Sequence, residues 1–233
     1  MGEVSRTGGQ APLPVDLLIF DLDGTLIDSK LDLANSVNAA RAHLDLRPLN
    51  LAVIMTYVGY GAPVLIRKAL AGEATESQAA DALEFFLDYY GRHALDSTRF
   101  YPGVRESLER LHRGGKLLAI LSNKPVGISR MVIKGLDADQ LFFRVYGGDS
   151  FGAQKPDPAG IANLMRETGV SRERTLMVGD SVVDVETARN GGVRSCGVRF
   201  GFAPATFDRT PPDLVVDHME ELADWVLNLK PSS

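Results

Sequence analysis

The sequence holds a single cysteine, Cys196, so no disulfide framework can form within one chain and the fold must rest on a packed core. Histidine is scarce too: His43, His93, His112 and His218 all fall in expected helical or surface segments, which disfavours a histidine-based nucleophilic or metal centre. Positive charge is not in excess, with 25 Lys and Arg against 30 Asp and Glu for a net charge of −5, so a nucleic-acid partner is not expected. No apolar run approaches the length of a membrane span, and residues 1–14 lack the apolar core of a signal peptide. A cytoplasmic protein with a flexible N-terminus over residues 1–14 is the expectation. Gly-x-x-x-x-Gly-Lys is also missing, which removes the P-loop nucleotide enzymes.

The chain that remains has 233 residues, 45% hydrophobic and 24% charged, enough for a sizeable core with an insertion. Its organising stretch runs from Val15 to Thr25: an apolar run, Leu17-Leu18-Ile19-Phe20, that stops at Asp21 and Asp23 before Gly24. Such a run predicts a strand buried on both faces, and in an open parallel sheet ligands gather beyond the carboxyl ends of strands. Downstream the pattern becomes helical, with Asp28 and Ser29 as caps and further helices over Leu51–Val58, Pro63–Leu70 and Ser77–Leu95. No strand pattern interrupts them.

Strand-helix alternation resumes after Tyr101-Pro102-Gly103. Strands are expected at Leu117–Leu121, Arg144–Tyr146, Thr175–Val178, Ser195–Arg199 and Asp213–Val216, with a closing helix through Leu222, Trp225 and Leu229. The lone Cys196 falls in one of these strands as a small buried hydrophobe. The expected fold is α/β: a Rossmann-like parallel sheet with helices on both faces, formed by residues 15–28 and 98–233, interrupted by an all-helical cap over residues 29–97.

Polar residues coincide at the ends of the core strands: Asp21 and Asp23, then Ser122 and Asn123, then Asp180 and Asp184, with Lys155 opening a helix on the same edge. Two carboxylates about 4 Å apart repel by about 4 kcal/mol at an effective dielectric near 20. Lys155 can neutralise only one of the converging aspartates, so a hard divalent cation is needed, and Mg²⁺ suits carboxylate and phosphate oxygens best. The pattern therefore points to a metal and an anionic substrate. With histidine and cysteine set aside, a carboxylate nucleophile remains, although spacing alone does not separate it from attack by a metal-bound water.

Taken together, Asp21-Leu22-Asp23-Gly24-Thr25, Ser122-Asn123-Lys124, Lys155-Pro156-Asp157-Pro158 and Gly179-Asp180-Ser181-x-x-Asp184 resemble the four ordered motifs of the haloacid dehalogenase superfamily of phosphatases. The resemblance implies that Asp21 is the nucleophile and Asp23 the proton carrier for the leaving alcohol and then for water. It implies that Ser122, the Asn123 backbone and Lys155 hold the phosphate. Asp21, the Asp23 carbonyl and Asp180 would bind Mg²⁺, with Asp184 positioning a metal water or Lys155. The acid at position 23 argues for phosphoryl transfer, since a halide leaving group needs no proton. Lys124 reads equally as a surface charge or as part of the site.

Within the helical insertion, Val58 to Leu70 is similar to the corresponding segment of bacterial phosphoglycolate phosphatases. There Gly59 and Gly61 would let backbone N–H groups approach an anion and Arg67 would grip a carboxylate. Gly147-Gly148-Asp149-Ser150 also resembles that subfamily, whereas Gln154 stands where a basic residue is usual. The expected partner is a small phosphorylated acid, 2-phosphoglycolate before others, acted on by a monomer or homodimer. Alternatives are a pyrophosphatase, a sugar phosphatase, a sugar-phosphate mutase, or a silent phospho-ligand binding module.

Overall fold

The computed structural model describes residues 14–227. The first strand, β1 (Leu17–Phe20), is buried at every position and lies at the centre of a six-stranded parallel sheet. The chain leaves it through β2 (Ile27–Asp28) and makes four helices: α1 (Lys30–His43), α2 (Leu51–Met55), α3 (Ala62–Leu70) and α4 (Glu76–His93). It returns through β3 (Arg99–Phe100), which pairs antiparallel with β2. Then follow α5 (Val104–Arg113), β4 (Leu117–Leu121), α6 (Val126–Gly135), β5 (Arg144–Tyr146), α7 (Ala159–Thr168) and β6 (Thr175–Gly179). The remaining elements are α8 (Val182–Gly191), β7 (Arg194–Val198), β8 (Leu214–Val216) and α9 (Met219–Val226).

The sheet order β5-β4-β1-β6-β7-β8 puts β1 between β4 and β6, at the point where the chain reverses the direction in which it adds strands. Side chains on a strand alternate between faces, and the core divides accordingly. Leu18 and Phe20 of β1 join Leu118, Ile120, Leu176 and Val178 under α5, α6 and α9. Leu17 and Ile19 join Ala119, Leu121 and Met177 under α7 and α8. The uninterrupted apolar run of β1 therefore feeds two cores at once, which is why it carries no polar residue before Asp21.

The four helices between β2 and β3 pack chiefly on one another, α1 against α4 and α2, and α3 against α4. The Leu51–Val58 helix is shorter than the pattern predicts, ending at Met55, because Val58 and Gly59 continue as a turn. At the start of α1 the two expected caps divide their work. Asp28 Oδ1 accepts from Lys30 N at 3.2 Å, while Ser29 occupies the cap position without a capping bond and donates instead to Asp23 Oδ1 at 2.5 Å. Asp32, one turn into α1, is buried and accepts from Ser97 N, Thr98 N and Thr98 Oγ1, tying the exit of the helical segment to its entrance.

Cys196 is buried in β7 as expected. That strand and α4 begin one residue earlier than the pattern predicts, and β8 one residue later. The expected flexible segment falls outside the described residues except for Pro14, as does Leu229 of the closing helix.

Candidate active site

Adjacent parallel strands end side by side, about 4.8 Å apart. Since β4, β1 and β6 are neighbours, Ser122, Asp21 and Asp180 follow their last residues on one edge of the sheet. Each is nearly buried there.

The carboxylate oxygens of Asp21, Asp180 and Asp184 lie within 4.8 Å of one another. One ammonium group enters this cluster. Lys155 Nζ is 2.8 Å from Asp21 Oδ1 and donates to Asp184 Oδ1 at 2.6 Å. The second Asp184 oxygen accepts from Ser181 N and Ser181 Oγ, closing a capping box at the start of α8. Both Asp184 oxygens are thus engaged, and the side chain positions Lys155. Asp180 Oδ2 accepts from the backbone N–H groups of Phe202 at 2.6 Å and Ala203 at 3.2 Å, and Thr25 Oγ1 reaches its other oxygen at 3.4 Å. Gly24 permits this approach. Its φ is +86°, and a Cβ there would stand 2.5 Å from Asp180 Oδ2.

This cluster carries more negative charge than its own lysine balances. Burial pushes the Asp21 carboxyl up to about 6, against the pull of Lys155. Burial first, then the charges of Asp184 and Asp21, push Asp180 up to about 8. Asp21 Oδ1 is buried against the Lys155 ammonium at 2.8 Å and has no other partner. Three carboxylates converging on one lysine fit an oxygen-ligated divalent cation, with Asp21 and Asp180 as the side chains able to hold it.

Asp23 has a different environment. Its carboxylate accepts from Ser29 Oγ and from Lys124 Nζ, the latter at 2.5 and 2.8 Å to its two oxygens. Lys124 is 6% exposed and also donates to the Tyr90 hydroxyl of α4 at 2.6 Å. Asp23 and Tyr90 hold the ammonium charged, so its affinity for its proton is raised despite burial. Of the two readings open to Lys124 from sequence, the surface one is therefore excluded.

The Asn123 side chain knits three segments together. Its Oδ1 accepts from Lys155 N, and its Nδ2 donates to the carbonyls of Lys155 and of Gly59. Through Gly59 and Tyr90 the helical segment touches the strand-end residues directly.

Between the segment and the strand ends lies a cavity floored by Asp21, Asp23, Ser122 and Asp180 and walled by apolar side chains such as Leu33, Leu65 and Phe86. Gly59 and Gly61 line it. Arg67 does not: it is exposed on α3 and absent from the lining, so the structure does not bring it to the site. Lys155 lies beneath the floor rather than in it. Sequence reasoning missed Tyr90, Ser29 and the Phe202 backbone, and left Lys124 undecided. Tyr90 is spaced four residues from Phe86 and reads as ordinary core, and nothing in a helical pattern reveals that its hydroxyl meets a lysine 34 residues away.

Such a site, with two aspartates after a central strand, a buried lysine and a further aspartate at the adjacent strand end, defines an α/β hydrolytic enzyme built for an anionic substrate. The profile of the haloacid dehalogenase-like hydrolases matches residues 18–198, and the chain belongs to that family, as one of its phosphatases. It is 38% identical over 227 residues to a phosphoglycolate phosphatase of Pseudomonas fluorescens, covering 94% of this chain and 82% of that protein. It is also 38% identical to the phosphoglycolate phosphatase of Haemophilus influenzae, covering 88% of this chain and 96% of the other. The crystal structure of a predicted phosphoglycolate phosphatase from Haemophilus somnus superposes with a TM-score of 0.85 at 32% identity, over 89% of this chain and 96% of that one.

Proposed function

We propose that the chain is a Mg²⁺-dependent phosphomonoester hydrolase that acts through an aspartyl-phosphate and takes 2-phosphoglycolate, giving glycolate and phosphate. The reading rests on one observation above the others: Asp21, on the floor of the cavity, brings its carboxylate together with those of Asp180 and Asp184 around a single lysine, beside a second aspartate held by its own donors. Relatives sharing more than a third of the sequence carry the substrate in their names.

In the first half-reaction Asp21 forms a bond to phosphorus while the bond from phosphorus to the glycolate oxygen breaks. Asp23 gives its proton to that oxygen. In the second half Asp23 takes a proton from water as the water attacks phosphorus, and the Asp21 carboxylate leaves. Ser122 and the Asn123 backbone hold phosphoryl oxygens, and Lys155 steadies the Asp21 side of the transfer. Mg²⁺, held by Asp21, Asp180 and the Asp23 carbonyl, would supply positive charge against the spread negative charge of the transferring group. Residues 15–28 and 98–233 form the catalytic core and residues 29–97 the cap that closes over it. The proposed setting is the cytoplasm, with the chain as a monomer or homodimer.

Phosphate release should be measured across 2-phosphoglycolate, sugar phosphates, pyrophosphate and nucleotides, with Mg²⁺ and with EDTA. The proposal expects 2-phosphoglycolate to have the highest kcat/KM and EDTA to abolish turnover. Preference for a sugar phosphate or pyrophosphate would overturn the substrate, and turnover in EDTA would overturn the metal.

A further inference from the structure

We propose that Lys124, steadied by Tyr90, recognises the carboxylate of the substrate's leaving group. This rests on the reading that the substrate is a phosphorylated carboxylic acid. Such a substrate brings two anionic ends into the cavity. The phosphoryl end has its partners at Asp21, Ser122 and the Asn123 backbone, but the far end needs a cation of its own.

Among the described residues that line the cavity, Lys124 is the only lysine or arginine. Lys155 lies below the floor and is committed to Asp21 and Asp184. Arg67 stands outside on α3. The aliphatic and aromatic wall offers nothing to an anion, since Leu33, Met55, Val58, Leu65 and Phe86 carry no donor.

The position of Lys124 also suits a short leaving group. Its ammonium is one hydrogen bond from Asp23, and Asp23 must meet the ester oxygen to protonate it. In 2-phosphoglycolate a single methylene separates that oxygen from the carboxylate, so both fall beside the Asp23–Lys124 pair. A longer acid would carry its carboxylate past Lys124 and against the apolar wall.

Tyr90 fixes the ammonium from above. Its hydroxyl accepts from Lys124 Nζ at 2.6 Å, and the centre of its ring lies 4.8 Å from the same atom. Because Tyr90 belongs to α4 and Lys124 to the strand-end loop, the carboxylate pocket is complete only while the helical segment covers the site. An entering carboxylate takes over part of the contact that Lys124 makes with Asp23, and an ammonium with three donors can serve both. Tyr90 acts through Lys124 and is a positioning residue.

The test compares 2-phosphoglycolate, its homologue with one more methylene, and ethyl phosphate, which has the same ester bond and no carboxylate. Wild type should favour 2-phosphoglycolate over both others in kcat/KM. Lys124→Met should lower kcat on every ester through its contact with Asp23, and in addition raise KM for 2-phosphoglycolate at least about tenfold more than for ethyl phosphate, the scale of a lost charged hydrogen bond. Lys124→Arg should recover part of the preference. Tyr90→Phe should narrow it in the same direction by a smaller factor, and it carries the test if thermal unfolding shows Lys124→Met to be misfolded. A Lys124→Met enzyme that is folded and retains the wild-type preference would overturn this assignment while leaving the substrate reading intact. A wild type without preference for the carboxylate would overturn both.

Discussion

Lys155 and Lys124 are both buried ammonium groups, and their partners give them opposite duties. Lys155 sits between Asp21 and Asp184 and balances their charge, whereas Lys124 faces Asp23 and the cavity. Replacing Lys155 with Met leaves two buried carboxylates without their cation. Breaking a buried pair in this way costs about 3–5 kcal/mol, so the variant should unfold at clearly lower denaturant concentration as well as lose activity. Asp23→Ala separates the two half-reactions. With p-nitrophenyl phosphate, whose leaving group needs little help, the variant should release a burst of nitrophenol matching the enzyme concentration and then turn over slowly, because water lacks its base. A linear time course without a burst would deny Asp23 its role in the second step.

Most of these residues were legible as residues. Asp21, Asp23, Ser122, Asn123, Lys155, Asp180 and Asp184 stand at strand ends or a helix start, and convergence at one sheet edge follows from parallel topology alone. Lys124, Tyr90 and Ser29 were not legible. Their roles arise from contacts between a loop and helices that no local period encodes, and Ser29 in particular has the composition of a cap and the bond of a site residue. Arg67 is the reverse case. Its type and spacing suited an anion, but the buried face of α3 is set by Ala62, Leu65, Ile66, Ala69 and Leu70, which leaves Arg67 exposed.

At the scale of elements, the run of β1 and the strand-helix alternation made the sheet readable, since β1, β4, β6 and β7 are buried throughout or nearly so. Element ends were less so, because caps are decided by side-chain bonds. The link between α1 and β3 illustrates this. Asp32 looks like a first-turn acid favoured by the helix dipole, yet it is buried and its carboxylate holds the backbone at Ser97 and Thr98. Asp32→Ala would leave those N–H groups without an acceptor. At about 1–3 kcal/mol for each unsatisfied buried group, the variant should show a lowered melting temperature and faster amide exchange at Thr98, with a smaller effect at β1. Uniform loss of protection across both regions would mean that the clip does not act locally.

For the whole molecule, the crowding of carboxylates has a consequence for stability. Asp21 and Asp180 retain protons in the metal-free fold up to about 6 and about 8, above the 3.8 of an ordinary aspartate. The folded chain then binds more protons than the unfolded one, so these two groups remove stability as pH rises from 3.8 toward 8. A cation that binds the deprotonated pair reverses this, and its stabilising effect grows over the same window. The rise in melting temperature on adding saturating Mg²⁺ should be larger at pH 8 than at pH 5 and vanish in Asp180→Asn. An equal rise at both pH values would place the metal elsewhere.

The central claim is that the Asp21 carboxylate itself takes the phosphoryl group, and it is tested most directly by trapping. Wild type mixed with 2-phosphoglycolate carrying a radiolabelled phosphoryl group, and quenched in acid within one turnover, should carry acid-stable, alkali-labile label on the peptide that contains Asp21. Borohydride should reduce that acyl phosphate and release the label, and Asp21→Asn should remain unlabelled. Full single-turnover release of phosphate with no label on that peptide at any quench time would contradict the account and assign the attack to water.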